Sequence, residues 1–268
     1  MSTPTNEFAV VTGASSGIGF ELARQFAEHG YDLLIAAEDE AIEQAAANLR
    51  RDGRTQVTAV RADLATYDGV EQVYAAILES GRGVDALALN AGRGIGGEFV
   101  GGTDLDDELN VIAVNVTSTV HLAKRVVPAM VERGAGHVLF TSSIASTMPG
   151  TYQAVYNASK SFVQSFAEAL RAELNDSEVS VTALMPGPTD TNFFHRAEMD
   201  DTRVGAGTKD DPAQVARQGF EALMKDKQKV VAGSAKTKAQ GVAAKVLPDL
   251  AKAEMHRRMA EPGSAPQE

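Results

Sequence analysis

Short apolar runs alternate along the chain with longer stretches in which apolar residues recur every three or four positions. The runs occupy residues 8–11, 33–36, 57–60, 84–89, 137–141 and 179–184, with a seventh at 229–231. Uninterrupted runs of this length read as strands buried on both faces. After the first, Phe20, Ala23, Phe26 and Ala27 recur at helical spacing and Gly30 ends the helix. Ile42, Ala46 and Leu49 mark a second helix that stops near Gly53. Long helices are predicted over residues 105–131 and 152–174, and Asp211 before Pro212 predicts an N-cap followed by proline at the first helical position. Strands alternating with helices predict one doubly wound α/β domain over residues 1–268. Its core is residues 8–231, a parallel sheet of about seven strands with helices on both faces. No repeat, no Pro/Ser-rich linker and no second core interrupts it. The polar segment 188–210 carries Phe193, Phe194 and Gly205-Ala206-Gly207 and is expected to be a mobile lid. Residues 236–268 are expected to form a C-terminal helix, over 245–259, and a frayed tail from Ala260.

Composition narrows the function classes. With 268 residues, 44% hydrophobic and 23% charged, the chain is an ordinary single-core globular protein. A net charge of −11 argues against a general nucleic-acid binder, which needs clustered Lys and Arg. Without cysteine there is no disulfide, thiolate nucleophile or cysteine metal site. His29, His121, His137, His195 and His256 show no metal-ligand spacing and read as surface or packing residues. Residues 1–7 lack the basic and apolar regions of a signal peptide, and no run of 18 apolar residues occurs. A cytoplasmic protein without membrane or nucleic-acid partners is the default expectation.

Two motifs carry chemistry. Tyr156 and Lys160 stand four residues apart, one helical turn, and project from one face. A free phenol has a pKa of roughly 10, and a nearby cation lowers it. The second motif, Thr12-Gly13-Ala14-Ser15-Ser16-Gly17-Ile18-Gly19, follows the first strand and opens the first helix. A helix N-terminus approached through glycines is a phosphate site. A literal G-x-G-x-x-G occurs instead at Gly92–Gly97, but no apolar helix follows it directly, so it reads as a loop near the substrate.

The glycine turn, Asn90-Ala91-Gly92, Asn115, Ser143, Tyr156, Lys160 and Pro186-Gly187 stand in one order, and together they resemble the classical short-chain dehydrogenase/reductase family. The resemblance covers about residues 8–231. It implies a Rossmann-type fold and a nicotinamide-dependent oxidoreductase that interconverts an alcohol and a carbonyl. In that mechanism Tyr156 is the acid/base. Lys160 lowers its pKa and bonds the nicotinamide ribose, Ser143 polarises the substrate oxygen, and Asn115 holds a water linking Lys160 to solvent. Ser142 is the lesser candidate for the serine. The cofactor would meet Gly13, Ser15, Ser16, Gly17, Ile18 and Gly19 at its phosphates, and Asp63 and Leu64 at the adenine. Asn90, Ala91 and Gly92 would lie near the ribose, with Tyr156 and Lys160. Pro186, Gly187, Thr189 and Thr191 would lie toward the nicotinamide.

Ala36-Ala37-Glu38-Asp39-Glu40 ends the second strand. Three acids with no evident local cation disfavour a 2′-phosphate, and Glu38 suits a ribose hydroxyl, which favours NAD with NADP as the alternative. Met148, Gln153, Met185, Phe193, Phe194 and Met199 either line a substrate pocket or pack the core, and no class of small alcohol or carbonyl substrate is distinguished. Met255 and Met259 read as packing. The resemblance also implies a homodimer or homotetramer through helices 105–131 and 152–174, with Phe162 and Phe166 serving that contact or the core. A non-catalytic dinucleotide sensor on the same fold is the alternative function.

Overall fold

The computed structural model describes residues 7–53, 55–243 and 247–266. All seven expected strands are present: β1 (Phe8–Thr12), β2 (Asp32–Ala37), β3 (Val57–Arg61), β4 (Ala86–Leu89), β5 (Gly136–Thr141), β6 (Val179–Pro186) and β7 (Lys229–Ala232). They form one parallel sheet in the order β3-β2-β1-β4-β5-β6-β7. The inner strands β1, β2 and β4 are buried at every position, whereas the edge strands β3 and β7 are partly exposed. That is why the inner strands read as continuous apolar runs.

Alternate residues of each strand feed two separate cores. Val10, Leu34, Leu87, Val138 and Phe140 pack with apolar residues of the helices on one face. Val11, Leu33, Ile35, Ala88 and Leu139 do so on the other. The eleven α-helices among the described residues are α1 (Gly17–Glu28), α2 (Ala41–Leu49), α3 (Tyr67–Glu79), α4 (Leu105–Ile112), α5 (Ser118–Arg133), α6 (Ala154–Glu173), α7 (Phe193–Arg196), α8 (Arg203–Ala206), α9 (Pro212–Met224), α10 (Ala235–Ala243) and α11 (Asp249–Ala260). Helices α3, α5 and α6 cover the first face, and α1, α2 and α9 the second. Asp211 caps α9 through Ala213 N–H, with Pro212 at its start as expected; such a cap contributes about 1 kcal/mol.

The strand order reverses at β1, with β2 on one side and β4 on the other. Beyond the carboxyl ends of these two strands the connections diverge and open a crevice, the usual ligand position in such sheets. None of the helices among the described residues is long and apolar enough to cross a membrane.

Three expectations are corrected. The helix expected over 105–131 is interrupted between α4 and α5 by a π-type turn, Ala113–Thr117, with Asn115 buried inside it. The helix expected from residue 152 starts at α6, because Tyr152 is left-handed (φ 65°) and Gln153 is non-helical (φ −147°, ψ 41°). The segment after Ala260 does not fray over its described part. Gly263 N–H donates to the Asp201 carboxylate at 2.7 Å and Ala265 N–H to the Asp201 carbonyl at 2.8 Å. Residues 1–6, 267 and 268 lie outside the described residues, as do 245 and 246 of the expected last helix.

Candidate active site

A cavity of about 390 Å³ runs along the carboxyl ends of the strands. Every residue expected at the cofactor borders it, from Gly13, Ser15, Ser16, Gly17, Ile18 and Gly19 through Glu38, Asp63, Leu64, Asn90, Ala91 and Gly92 to Pro186, Gly187, Thr189 and Thr191. Two glycines are demanded by geometry. Gly17 has φ +56°, and a Cβ on it would come within 2.8 Å of Thr191 Cγ2. A Cβ on Gly19 would stand 2.1 Å from the Gly13 carbonyl oxygen. Backbone is thus packed against backbone at the start of α1, whose N-cap Ser16 makes no side-chain cap. The first N–H groups of α1 and its dipole therefore face the cavity for an anion. These features fit the pyrophosphate of a dinucleotide.

At the far end, Ser15 Oγ donates to Asp39 Oδ2 at 2.9 Å, and Asp39 also accepts from Ala41 N–H. Glu38 is exposed on the cavity wall. A local cation does exist: Arg61, ending β3, donates to the Glu38 carbonyl at 3.1 Å and pairs with Glu40 at 2.9 Å. Its place on the neighbouring strand hid it from a reading of the β2 end alone. The Asp63 carboxylate accepts from Ala65 N–H at 2.9 Å, a turn role added to its place in the wall. The Asn90 side chain is spent on the fold, donating to the Thr12 carbonyl and accepting from Thr141 Oγ1, each at 3.1 Å.

At the middle of the cavity, Ser143 follows β5 and Tyr156 and Lys160 project from α6. Ser143 Oγ accepts from Ala145 N–H at 3.1 Å, which leaves its own O–H to donate. Ser142 instead donates to the Lys160 carbonyl at 3.1 Å and is buried. Lys160 Nζ donates to the Thr141 carbonyl at 3.0 Å and lies 6.0 Å from the centre of the Tyr156 ring. Burial lowers the Lys160 pKa to about 8. Burial also pushes the Tyr156 phenol up to about 12, and its hydrogen bond with Ser143 offsets only part of that. Desolvation of the phenol dominates among the protein groups.

Asn115 bonds protein groups through its side chain. Its Nδ2 donates to the Arg93 carbonyl at 2.9 Å and to Ser159 Oγ at 2.8 Å, while Oδ1 accepts from Arg93 N–H at 2.8 Å. Its side chain is filled by protein partners and stays out of the cavity wall, so it anchors the Arg93 loop to α6. That loop contains the G-x-G-x-x-G, and no helix begins before Leu105.

Met148, Gln153, Phe193 and Phe194 line the substrate end, and the Phe193 ring lies 5.2 Å from that of Tyr156. Met185 and Met199 do not; Met199 is fully buried against Phe194, Ala197 and Ala260. The periodicity missed His256 and Met259 of α11, which close the same wall. Nothing local in the sequence marks a distant terminal helix as a cavity wall. Among the described residues no group of three or more His, Asp or Glu could hold a metal ion.

A family model described as short chain dehydrogenase matches residues 7–202. The chain belongs to the short-chain dehydrogenase/reductase family. This dehydrogenase/reductase is 34% identical to dehydrogenase/reductase SDR family member 7B of Rattus norvegicus, over 84% of this chain and 73% of the relative. It is 30% identical to an NADP-dependent 3-hydroxy acid dehydrogenase of Salmonella typhi, over 73% of this chain and 79% of that protein. Its fold matches a short-chain dehydrogenase/reductase of Burkholderia phymatum in complex with NAD with a TM-score of 0.82. That match is 26% identical and covers 98% of this chain and 99% of the other. The dehydrogenase/reductase is thus an NAD(P)-dependent enzyme of alcohol/carbonyl interconversion on a Rossmann fold, and its relatives divide between NAD and NADP.

Proposed function

We propose that Ser143, Tyr156 and Lys160 are the catalytic groups of this enzyme, with NAD preferred over NADP and a small alcohol or carbonyl compound as substrate. The supporting observation is that all three open onto the one cavity that also meets the glycine turn and the N-terminus of α1. Bound along that cavity, the nicotinamide cofactor supplies or accepts the hydride. Ser143, its Oγ already accepting from Ala145 N–H, orients its proton toward the substrate oxygen. Tyr156, protonated at neutral pH because burial raises its pKa, gives a proton to that oxygen during reduction. Lys160 uses one N–H on the Thr141 carbonyl and keeps others for the ribose hydroxyls beside Tyr156. Asn115 is a positioning residue that holds the Arg93 loop.

The NAD preference rests on charge. Glu38, Asp39 and Asp63 border the adenosine end, and Arg61 lies outside that wall, held by Glu40. A 2′-phosphate there meets like charge, whereas the Glu38 carboxylate accepts a bond from a ribose hydroxyl. We also propose a homodimer or homotetramer, from the apolar surface that α4 and α6 leave exposed.

Tyr156→Phe tests the assignment. Turnover is expected to fall by about 10²–10⁴-fold, the usual worth of a positioned acid, with NADH binding by nicotinamide fluorescence nearly unchanged. Near-normal turnover in that variant would remove Tyr156 from the chemistry.

A further inference from the structure

Gln153 precedes α6 and stands three residues before Tyr156, in the wall of the substrate end. It is only 7% exposed, and its amide nitrogen is enclosed with no hydrogen-bond partner among the described residues. Leaving such a donor unpaired is costly, and a ligand oxygen would satisfy it.

His256 reaches the same wall from α11, at 5% exposure. Its Nδ1 lies 2.9 Å from the Thr151 carbonyl oxygen. A carbonyl only accepts, so Nδ1 carries the hydrogen and the neutral ring keeps a lone pair on Nε2. Burial holds the His256 pKa below its ordinary value and so favours that neutral ring. No partner occupies Nε2 among the described residues. Thr151 and Gln153 belong to one turn, closed by Gln153 N–H on the Gly150 carbonyl at 2.9 Å. The carbonyl that fixes the imidazole and the unpaired amide therefore share a short stretch of backbone. Around them the wall is apolar, with Met148, Phe194 and Met259.

One donor and one acceptor in an apolar wall complement a group that gives one hydrogen and takes one. We propose that Gln153 and His256 form a hydroxyl-binding subsite, so that the favoured substrates are hydroxyketones and the corresponding diols. This rests on the oxidoreductase reading and narrows its substrate class. A carboxylate is matched less well, since it would face the Nε2 lone pair. Gln153, His256 and Tyr156 line one cavity, so a single small substrate can meet the subsite and the reacting groups together.

The test compares hydroxyacetone and its longer hydroxyketone homologues with the matching unsubstituted methyl ketones and keto acids, using wild type, Gln153→Leu and His256→Phe. In wild type the best hydroxyketone is expected to exceed its parent ketone in kcat/KM by about ten- to a hundredfold. Either substitution should remove most of that advantage, through KM, so that the hydroxyketone loses about ten- to a hundredfold more kcat/KM than its parent ketone. Equal turnover of hydroxyketone and parent ketone in wild type overturns the subsite alone, as does a preference for the keto acids or a hydroxyl preference that survives both substitutions. The wild-type comparison decides the matter even where a variant does not fold. Absence of turnover across the whole series, with NADH still bound, overturns the catalytic reading beneath it.

Discussion

At the scale of single residues, the site depends on which side chains the fold leaves free. Asn90, Asn115 and Ser142 stand beside the cavity, yet their polar atoms are taken by backbone and neighbours. Ser143, Tyr156 and Lys160 keep donors for a ligand. Glu38 is likewise uncommitted at its carboxylate, while Asp39 holds Ser15 and Glu40 holds Arg61. Replacing Glu38 by Arg therefore removes a carboxylate that has no partner among the described residues and adds a cation for a 2′-phosphate. NADPH should then bind about tenfold more tightly relative to NADH, a change of about 1.4 kcal/mol. Fluorescence titration of both cofactors measures it, and an unchanged ratio would assign the choice to another residue, with Arg61 next in line. The residues proposed as catalytic could be named from the sequence because each sits in a short local pattern at a strand end or along one turn of helix. Arg61 and His256 were not, since only pairing of β3 beside β2 sets Arg61 next to Glu38, and only the return of α11 brings His256 to the cavity. Burial of the Tyr156 phenol was illegible for a similar reason: the Lys160 spacing shows in the sequence, but the desolvation that raises the phenol's pKa comes from the fold.

At the scale of elements, the strands were readable from apolar runs, because helices cover both faces of the sheet. Local interruptions were not readable. The π-type turn at Ala113–Thr117 carries Asn115 into the interior, where it bonds Arg93 and Ser159, and that demand comes from tertiary contacts. The segment expected to be a mobile lid is also more tied down than its polar composition suggested. Thr189 and Asp210 bridge its base, and α7 and α8 stiffen its middle. Its tip is clasped by the tail through Asp201 with Gly263 and Ala265, and Arg203 Nε donates to the Ser264 carbonyl at 3.2 Å. Exposed bonds of this kind contribute about 1 kcal/mol each at most. Truncation after Glu261 should lower Tm by only a few degrees. It should raise KM for the carbonyl substrate severalfold while leaving NADH binding in place, because the clasped lid carries Phe193 and Phe194 to the substrate end. Steady-state kinetics identical to the full chain would show that the lid holds its place without the tail.

At the scale of the whole molecule, the two cores take in most buried apolar residues of the sheet, but an outer face remains unpartnered. Leu105, Leu109 and Ile112 lie at i, i+4 and i+7 on α4 and are 70%, 51% and 40% exposed. This spacing sets them on one stripe. Helix α4 packs beside α6, whose Phe162 is 42% exposed and stacks on Phe166 with ring centres 6.0 Å apart. Phe166 itself turns inward onto the core, so of the two phenylalanines only Phe162 is available to a partner. Contiguous exposed apolar side chains on adjacent helices mark an association surface. A second copy can cover them, and a two-fold axis would set like helices against each other as in most closed homo-oligomers. Light scattering on the eluting protein should therefore give a mass of twice or four times the 28.2 kDa chain. Leu109→Glu, at the centre of the stripe, should shift the population toward the single chain at micromolar concentration, because a charge buried in an apolar contact is strongly unfavourable. The substitution touches neither core nor cavity, so the circular dichroism spectrum should be retained. A wild-type mass of one chain at high concentration would reject the association and leave the stripe as exposed surface.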